Sequence, residues 1–247
     1  MKVSIITATY NSIETIHNCL KSILNQNYKN IELIVIDGAS KDGTLELIKG
    51  NPSISTFISE PDNGIYDALN KGIDLATGDI IGFVHSDDLL ADATIISSIV
   101  NQFKNIEVAG VYGDLTYVNK NNTSKVIRSW KSCDFRPSLL KNGWMPAHPT
   151  LFLKKEVYEK HGSFNLTYKI AADYDFMLRI LKDSSLKFSY LPIVFTKMRI
   201  GGASNRSLKN ILQKTREDYR AVKSNKVGGV KTIFIKNTSK LKQFINK

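Results

Sequence analysis

The chain has 247 residues, of which 42% are hydrophobic, 9% aromatic and 23% charged, as in an ordinary globular protein with one large domain or a domain and a small appendage. The two cysteines, Cys19 and Cys133, exclude a disulfide framework and lack metal-ligand spacing, which favours a reducing compartment. No run approaches the roughly 20 apolar residues of a membrane span, and the N-terminal apolar run is too short for a signal peptide. We therefore expect a cytoplasmic or peripheral protein.

The net charge of +11 is concentrated at the end of the chain. Residues 206–247 hold 12 of the 34 basic residues and two of the 23 acidic ones, so this segment carries +10 and residues 1–205 carry +1. A basic segment attracts anionic partners, such as phospholipid headgroups, nucleic acid or a pyrophosphate-bearing substrate. The charge distribution predicts a nearly neutral domain, 1–205, and a basic helical extension, 206–247.

The first 86 residues alternate between strand-like and helix-like segments. The strand-like segments are apolar or β-branched and cover residues 3–10, 31–37, 54–60 and 79–86. Helical spacing of apolar residues covers 13–26 and 63–76, and a short helix is expected before the third strand. The second strand is continuously apolar and therefore buried on both faces. This alternation predicts an α/β fold with a mostly parallel central sheet flanked by helices.

Polar residues follow each of these four strands, at 7–11, 37–40, 60–63 and 85–88. Open parallel sheets bind ligands in the crevice outside the carboxyl ends of their strands. We therefore expect these segments to form one ligand site.

The second half of the chain is less regular. In chain order it contains a strand at 108–118, an irregular stretch at 131–150, a strand and short helix within 148–162, an amphipathic helix at 171–183 and a strand-rich stretch at 186–200. The double glycine Gly201-Gly202 could hinge a lid or form a simple turn.

Asp87 and Asp88 are adjacent carboxylates at the end of the fourth strand. Neighbouring side chains in a strand point to opposite faces, so the pair could serve two ligands, a sugar hydroxyl and a hard cation bound through oxygen. The alternative is a polar loop that caps the next helix. In a chain with this strand pattern we favour the binding site.

Asp37 ends the second strand and could recognise a nucleobase or ribose, or organise the following turn. Tyr10 follows the first strand and could stack on a base, or lie half-buried on the surface. His148 precedes a proline and could be a metal or phosphate ligand, although a buried, hydrogen-bonded histidine is the commoner case.

Asp173 and Asp175 lie two residues apart on the predicted helix, which separates them by about 200° of rotation. Only one of them can therefore face a given site as a general base. The alternative is that Asp173 is an N-cap and Asp175 a first-turn acid favoured by the helix dipole.

Taken together, the motifs VSIITATYN, IELIVIDGASKDGT, PDNGIYDALNKGIDLATGDIIGFVHSDD and AADYDFMLRI resemble those of the family 2 glycosyltransferases with a GT-A fold. The resemblance covers roughly residues 1–205, and the order and spacing of the four motifs is its specific feature. The version with DGAS, NGIYDALNKG and a late HPT looks most like bacterial enzymes of surface-polysaccharide assembly, such as those of O-antigen, capsule or exopolysaccharide.

The resemblance implies a role for each motif residue. Those matching positions around the nucleotide donor, usually a uridine nucleotide, are Thr7, Tyr10, Asp37, Asp62, Asn70, Lys71 and Asp87, the last of these on the ribose. Asp88 matches the ligand of Mg²⁺ or Mn²⁺, with His148 as a possible further ligand.

The same resemblance makes Asp173 the catalytic base. Ala172 stands where the family usually has a glutamate, so Asp175 stays a competitor. The implied enzyme is a metal-dependent, inverting hexosyltransferase that moves a sugar from a nucleotide-diphosphate sugar, expected to be a UDP-sugar, to a sugar hydroxyl. Two alternatives are a non-catalytic sugar-nucleotide sensor and a sugar-nucleotide pyrophosphorylase, although the glycine-rich loop of the latter is absent after the first strand.

The basic extension mixes lysines with apolar residues, as in GGVKTIFIKNTSKLKQFINK. A basic amphipathic segment can lie on an anionic membrane, where a polyprenyl-diphosphate-linked acceptor would be found. We therefore expect peripheral contact with the cytoplasmic face of the inner membrane and no nucleic-acid partner. The alternative is a helix that packs its apolar face on the domain.

Overall fold

A computed structural model describes residues 1–201 and 208–242. The strands in these residues are β1 (Val3–Thr9), β2 (Ile31–Asp37), β3 (Thr56–Ser59), β4 (Ile80–Phe83), β5 (Asp88–Leu90), β6 (Val108–Val118), β7 (Val126–Trp130), β8 (Phe152–Lys154) and β9 (Lys187–Arg199). The α-helices are α1 (Ile16–Leu24), α2 (Thr44–Lys49), α3 (Ile65–Leu75), α4 (Ile95–Gln102), α5 (Lys155–His161), α6 (Ala172–Leu181), α7 (Leu208–Ser224) and α8 (Val230–Lys242). Short 3₁₀ turns cover Pro137–Asn142 and His148–Thr150.

All nine strands form one mixed sheet, in the order β3-β2-β1-β4-β8-β6-β9-β5, with β7 beside β6. The predicted parallel arrangement holds for the first four strands, since β1 pairs in parallel with both β2 and β4, and β2 with β3. In the other half, β8 pairs antiparallel with β4 and β6, and β6 pairs in parallel with β9. The carboxyl ends of β1, β2, β3 and β4 therefore meet at one edge.

Helices cover both faces of the sheet, as the continuous apolar strands require. In β1, Ile5 packs with α1 and α4, whereas Ile6 packs with α3 and α6 on the opposite face, and both are fully buried. Helix α3 approaches β1 so closely that a Cβ on Gly72 would lie 2.3 Å from Ile6. Only glycine allows this approach, which sets the position of the N-terminal end of α3 at the carboxyl edge.

Two boundaries differ by three residues from the sequence-based expectation. Helix α1 begins at Ile16 rather than at residue 13, because the amides of Thr15 and Ile16 bond to the Ser12 carbonyl in a turn. The fourth strand ends at Phe83, and His85–Asp88 form a turn in which the Asp88 amide donates to the His85 carbonyl over 2.8 Å. Both differences place more backbone in the loops of the predicted ligand edge.

Helices α7 and α8 pack against α6 through buried apolar residues and also through a buried ion pair. Ala221 and Val222 of α7 and Ile233 of α8 are buried in the core. Asp218 is 1% exposed and lies 2.9 Å from the ammonium of Lys236, which is itself buried over the ring of Tyr174. The predicted boundary at 205/206, Gly202, and the apolar residues Phe244 and Ile245 lie outside the described residues, and the domain division stays a prediction. No described helix is long and apolar enough to cross a bilayer.

Glu217 of α7 fixes the segment that leads into α6. Its carboxylate accepts hydrogen bonds from the backbone amides of Lys169, Ile170 and Ala171, at 2.8–3.2 Å, and from the side chain of Gln213 at 3.0 Å. Burial alone would raise the pKa of Glu217, but these donors outweigh it and hold the pKa below its usual range. The carboxylate therefore acts as a cap for the three amides that precede α6, supplied by another helix.

Replacing this cap should destabilise the protein. We expect Glu217→Ala to lower the free energy of unfolding by roughly 2–3 kcal/mol, because buried amides lose a charged acceptor. Glu217→Gln, which keeps one acceptor oxygen, should cost about half as much. Urea denaturation measures both, with the exposed neighbour substitution Arg216→Ala as control. A Glu217→Ala variant as stable as Arg216→Ala would show that the contact does not hold α7 on the domain.

Candidate active site

The loops at the carboxyl edge are tied to one another by side chains. The Asn11 amide donates to the Ser40 hydroxyl over 2.8 Å, and the Lys41 amide donates back to the Asn11 side chain over 2.9 Å. The hydroxyls of Ser12 and Ser86 lie 3.0 Å apart. Asn11 and Ala39 adopt positive φ angles of 46° and 62°, which favour glycine. The loops after β1, β2 and β4 therefore form one connected surface.

The loops after β1, β2 and β3 bring Tyr10, Gly38 and Asp62 together, and we call this group of three residues the Tyr10 slot. A Cβ on Gly38 would lie 3.3 Å from the Tyr10 ring and 2.6 Å from the Asp62 carboxylate, so the three residues are in contact. The Tyr10 side chain is 64% exposed and thus available for stacking. Asp37 is fully buried below the slot and accepts hydrogen bonds from the Ser40 amide at 3.1 Å and the Ser59 hydroxyl at 2.6 Å.

Three other residues expected around the donor are less open. Thr7 is fully buried within β1. The Asn70 side chain is engaged at both ends by the backbone of Phe164, at 2.9 Å each. The Lys71 ammonium lies at the rim, 2.7 Å from Glu60 and 3.6 Å from Asp67. As placed, Asn70 fastens α3 to the segment before α6, and Lys71 is the one of the three that reaches the surface of the edge.

Asp87 and Asp88 point to different surroundings. Asp88 is fully buried, and both its carboxylate oxygens lack a hydrogen-bond partner. Burial, and after it the charge of Asp87, raises the pKa of Asp88 well above its usual range, although the Arg199 charge partly offsets this. Asp87 is only partly buried, and its charge acts on His85. The two carboxylates therefore have distinct environments, as the alternation of side chains in a strand predicts.

Two histidines lie beside this turn. The rings of His85 and His148 are 6.0 Å apart, and Nδ1 of His85 and Nε2 of His148 are buried without a hydrogen-bond partner. Burial lowers the pKa of His148 to about 4, against the opposing effect of Asp173. Burial likewise lowers the pKa of His85, against the charges of Asp87 and Asp173. Both imidazoles are therefore neutral near pH 7, and the charge of Asp173 acts on both of them, whereas that of Asp87 acts on His85.

Asp173 is the partly exposed carboxylate of α6. Its Oδ1 accepts hydrogen bonds from the Tyr66 hydroxyl at 3.1 Å and from the Tyr174 amide at 2.8 Å. The Tyr66 hydroxyl has one proton and also lies 2.8 Å from the Ile170 carbonyl, so it shares that proton between the two acceptors. Burial, and after it the Asp173 charge, raises the pKa of Tyr66 well above its usual range, so the phenol stays a donor. This carboxylate can accept a proton from a bound hydroxyl.

Asp175 points into the domain instead. It is 5% exposed, and its two oxygens accept hydrogen bonds from Asn225 at 2.9 Å and Arg179 at 3.2 Å. The two aspartates thus face different directions, as their spacing on a helix requires.

A family comparison explains this arrangement. The model of the family described as "Glycosyl transferase family 2" matches residues 4–175. The chain belongs to glycosyltransferase family 2. It is 30% identical over 230 residues to a "PGL/p-HBAD biosynthesis glycosyltransferase" of Mycobacterium bovis (BCG), covering 89% of this chain and 87% of that protein. It is 27% identical to an uncharacterized glycosyltransferase of Haemophilus influenzae, covering 94% and 92% of the two chains.

Solved glycosyltransferase structures share the fold of this family 2 enzyme. Staphylococcus aureus TarS 1–349 in complex with UDP-GlcNAc superposes with a TM-score of 0.70 at 18% identity, over 90% of this chain and 66% of TarS. The mannosyltransferase PcManGT of Pyrobaculum calidifontis, in complex with GDP-Man and Mn²⁺, superposes with a TM-score of 0.65 at 20% identity, over 90% and 63%. The chain thus spans just under two thirds of these solved proteins. The expected GT-A fold is confirmed.

A divalent cation fits the Asp87–Asp88 turn of this glycosyltransferase. The unpartnered buried oxygens of Asp88 are hard ligands that a cation would satisfy, and the partly exposed Asp87 lies next to them. Within residues 1–201 and 208–242, no group of three His, Cys, Asp or Glu side chains converges as a complete metal site. Donor oxygens and water would therefore have to supply the remaining ligands.

Sequence reasoning missed two contacts of the glycosyltransferase site. Tyr66 lies within the NGIYDALNKG motif, but its partner Asp173 is 107 residues away, so its role follows only from the packing of α3 on α6. Glu217 lies in the basic extension, where an acid has no pattern that marks it. His85 also lies at this edge, and the charges of Asp87 and Asp173 both act on it.

The Tyr66 contact gives a specific expectation. Tyr66→Phe removes only the hydroxyl, and we expect kcat to fall about tenfold with the donor KM unchanged, because a hydrogen bond to a charged group contributes roughly 1.5 kcal/mol. Steady-state turnover of the accepted nucleotide-sugar measures this, with the exposed Tyr219→Phe as control. A wild-type kcat, or an equal loss in Tyr219→Phe, would contradict a role of this hydroxyl at the base.

Proposed function

We propose that this family 2 glycosyltransferase is an inverting, metal-dependent enzyme that transfers a sugar from a UDP-sugar to a hydroxyl of a lipid-linked saccharide. Surface-polysaccharide synthesis at the cytoplasmic face of the membrane is the process we assign to it. The observation that carries the proposal is the position of Asp173. This partly exposed carboxylate is hydrogen-bonded by Tyr66 in the first turn of α3, which begins at the carboxyl edge, and its charge acts on His85 in the turn that holds Asp87.

The proposed reaction is a single displacement. Asp173 takes the proton of the acceptor hydroxyl, and the freed oxygen attacks the anomeric carbon from the face opposite the nucleotide. The bond to the nucleoside diphosphate breaks, and the configuration at the carbon inverts. Tyr66 keeps the carboxylate in place through its hydroxyl. His85 and His148 are neutral and so add no positive charge that would weaken the base.

A bound Mg²⁺ or Mn²⁺ would stabilise the charge that develops on the departing diphosphate. We propose Asp88 as its protein ligand and Asp87 as the ribose contact, with His148 as a possible further ligand. The unpartnered oxygens of Asp88 and the Mn²⁺ in the related fold of PcManGT support this. Because Asp88 is fully buried and Asp87 is the carboxylate on the side of His85, exchanged roles are the alternative to test.

The donor and acceptor classes rest on different observations. A uridine nucleotide is supported by the slot at Tyr10, Gly38 and Asp62 and by the related fold of TarS with UDP-GlcNAc. A lipid-linked acceptor is supported by the basic extension alone. The mycobacterial relative, whose name assigns it to PGL/p-HBAD biosynthesis, supports a role in a biosynthetic process.

The two aspartates of α6 provide the first test. Asp173→Asn should lower transfer by roughly a hundredfold or more, because the proton acceptor is lost, while UDP still binds with wild-type affinity. Asp175→Asn should keep most of the turnover and instead lower stability. Product formation with a panel of UDP- and GDP-sugars, and calorimetric UDP titration, measure both. If Asp175→Asn is the inactive variant and Asp173→Asn is active, the base is assigned wrongly.

The cation site has a readout besides activity. Metal-free Asp88→Asn should unfold at the same or a higher Tm than wild type, because burying an amide costs less than burying an unpaired carboxylate. Wild type should gain roughly 2.7 kcal/mol when Mn²⁺ and UDP are present at a hundredfold excess over Kd, and Asp88→Asn should gain much less. The turnover of Asp88→Asn should fall, because its activation free energy should rise by on the order of 3 kcal/mol.

The matched variant for this test is Asp87→Asn, which changes the neighbouring carboxylate in the same way. If Asp88→Asn responds to Mn²⁺ and UDP like wild type while Asp87→Asn does not, the metal ligand is Asp87. If both respond like wild type and retain turnover, the enzyme does not use a cation at this turn.

A further inference from the structure

The turn between α7 and α8 forms a strongly basic corner with the 3₁₀ turn Pro137–Asn142. A cavity of about 760 Å³ opens there, and four lysines but no acidic residue line it. We call these four residues the lysine corner: Lys141, Lys223, Lys226 and Lys231. The two acidic residues of the extension do not compensate this charge, since both are buried: Glu217 binds the amides before α6, and Asp218 pairs with Lys214 and Lys236.

The basic surface continues beyond the corner. A second cavity, of about 680 Å³, shares Lys226 and Val227 with the first. Its other Lys, Arg and Asp residues are Lys160, Arg179, Lys182 and Asp183, but Lys160 pairs with Asp183 at 2.8 Å and Arg179 pairs with Asp175 at 3.2 Å. Lys182 therefore adds one further exposed lysine beside the corner.

Lys226 has an unusual backbone conformation. Its φ of 58° is left-handed, at the end of α7, where the Val227 amide bonds to the Val222 carbonyl over 3.2 Å. Glycine is the residue that suits this C-terminal position, and lysine is strained there. The turn itself thus gives no reason for a lysine, whereas an anionic partner at the exposed side chain would.

Exposed apolar side chains lie beside the lysines. Val230 and Phe234 are 73% and 68% exposed, and their spacing of four residues puts them on one side of α8, next to Lys231. The other side of α8 faces the domain, where Ile233 and Lys236 are buried. Apolar anchors beside lysines suit the interface of an anionic bilayer, whereas the phosphates of duplex DNA would engage only the lysines.

We propose that the lysine corner, with Val230 and Phe234, is the surface by which this protein rests on an anionic lipid bilayer. The lysines lie at the phosphate headgroups, and Phe234 inserts at the boundary with the acyl chains. The proposal deepens the proposed function, since a lipid-linked acceptor would be reached from this surface. It assigns the membrane contact to the described α7–α8 turn rather than to an apolar stripe that includes Ile233.

The test is co-sedimentation with vesicles of phosphatidylglycerol and phosphatidylcholine, compared with phosphatidylcholine alone, at low salt. Wild type should bind the anionic vesicles only. The triple variant Lys223→Glu, Lys226→Glu, Lys231→Glu should bind at least about tenfold more weakly, because each lysine near an anionic surface contributes to binding. A matched control reverses three exposed lysines elsewhere, Lys49, Lys104 and Lys125, and should keep most of the binding.

Two single variants separate binding from folding. Lys226→Gly suits the left-handed backbone, so the variant should be as stable as wild type and still bind more weakly. Phe234→Ser should also weaken binding, whereas Ile106→Ser, which changes an 83% exposed residue in the loop before β6, should not.

Several outcomes would overturn the proposal. The first is that wild type does not bind anionic vesicles, and the second is that the two triple variants lose vesicle binding equally. The third is that the corner variant binds vesicles like wild type and loses only the binding of duplex DNA. Donor hydrolysis without vesicles reports separately on the proposed function. An inactive protein that binds vesicles through the corner would refute the function and keep the surface.

Discussion

The hydrogen bonds from the backbone of residues 169–171 to the carboxylate of Glu217 join the C-terminal helices to the edge of the sheet where the polar residues gather. They orient the first turn of α6 and therefore the side chain of Asp173. From the opposite side, Tyr66 of α3 contacts both the Ile170 carbonyl and Asp173. The candidate base is thus held between a helix that packs on β1 and a helix of the basic extension. Without α7, the segment before α6 would have three amides to satisfy by other means.

The Asp87–Asp88 turn differs from the Glu217 contact, because the buried carboxylate of Asp88 has no hydrogen-bond partner within the described protein. Two neutral imidazoles and an adjacent like charge surround this turn, and Arg199 offsets the burial of Asp88 only in part. An arrangement of this kind costs stability unless a ligand supplies positive charge. Stabilisation by a cation together with the donor would then make the loops of the edge most rigid when the substrate is bound. The stability that the free protein loses by burying Asp88 is consistent with a binding site rather than a capped loop.

Much of the fold could be predicted from local patterns. Strands β1, β2 and β6 and the helix α6 lie where apolar periodicity put them, because each is a buried element whose spacing reports its contacts. The antiparallel pairing of β8 with β4 and β6 had no such signal, since its three residues are too few for a period. In the site, Asp87 and Asp173 could be named from their place after a strand or on a helix. The contact of Tyr66 with Asp173 could not, because it depends on packing between distant segments.

The net charge of the extension did not predict which of its lysines are exposed. The +10 of residues 206–247 treats all lysines alike, yet Lys236 is buried against Asp218 and Tyr174 while Lys231, five residues earlier on α8, is exposed in an uncompensated cavity. One helix therefore uses lysine both to fasten itself to the domain and to present charge outward. Because the adjoining helix α7 carries Glu217, the helices that present this charge also hold the segment leading to Asp173. Contact of the corner with a surface would act on the same helix pair that packs against α6, and would link the proposed membrane attachment to the proposed base through packing rather than through a flexible tether.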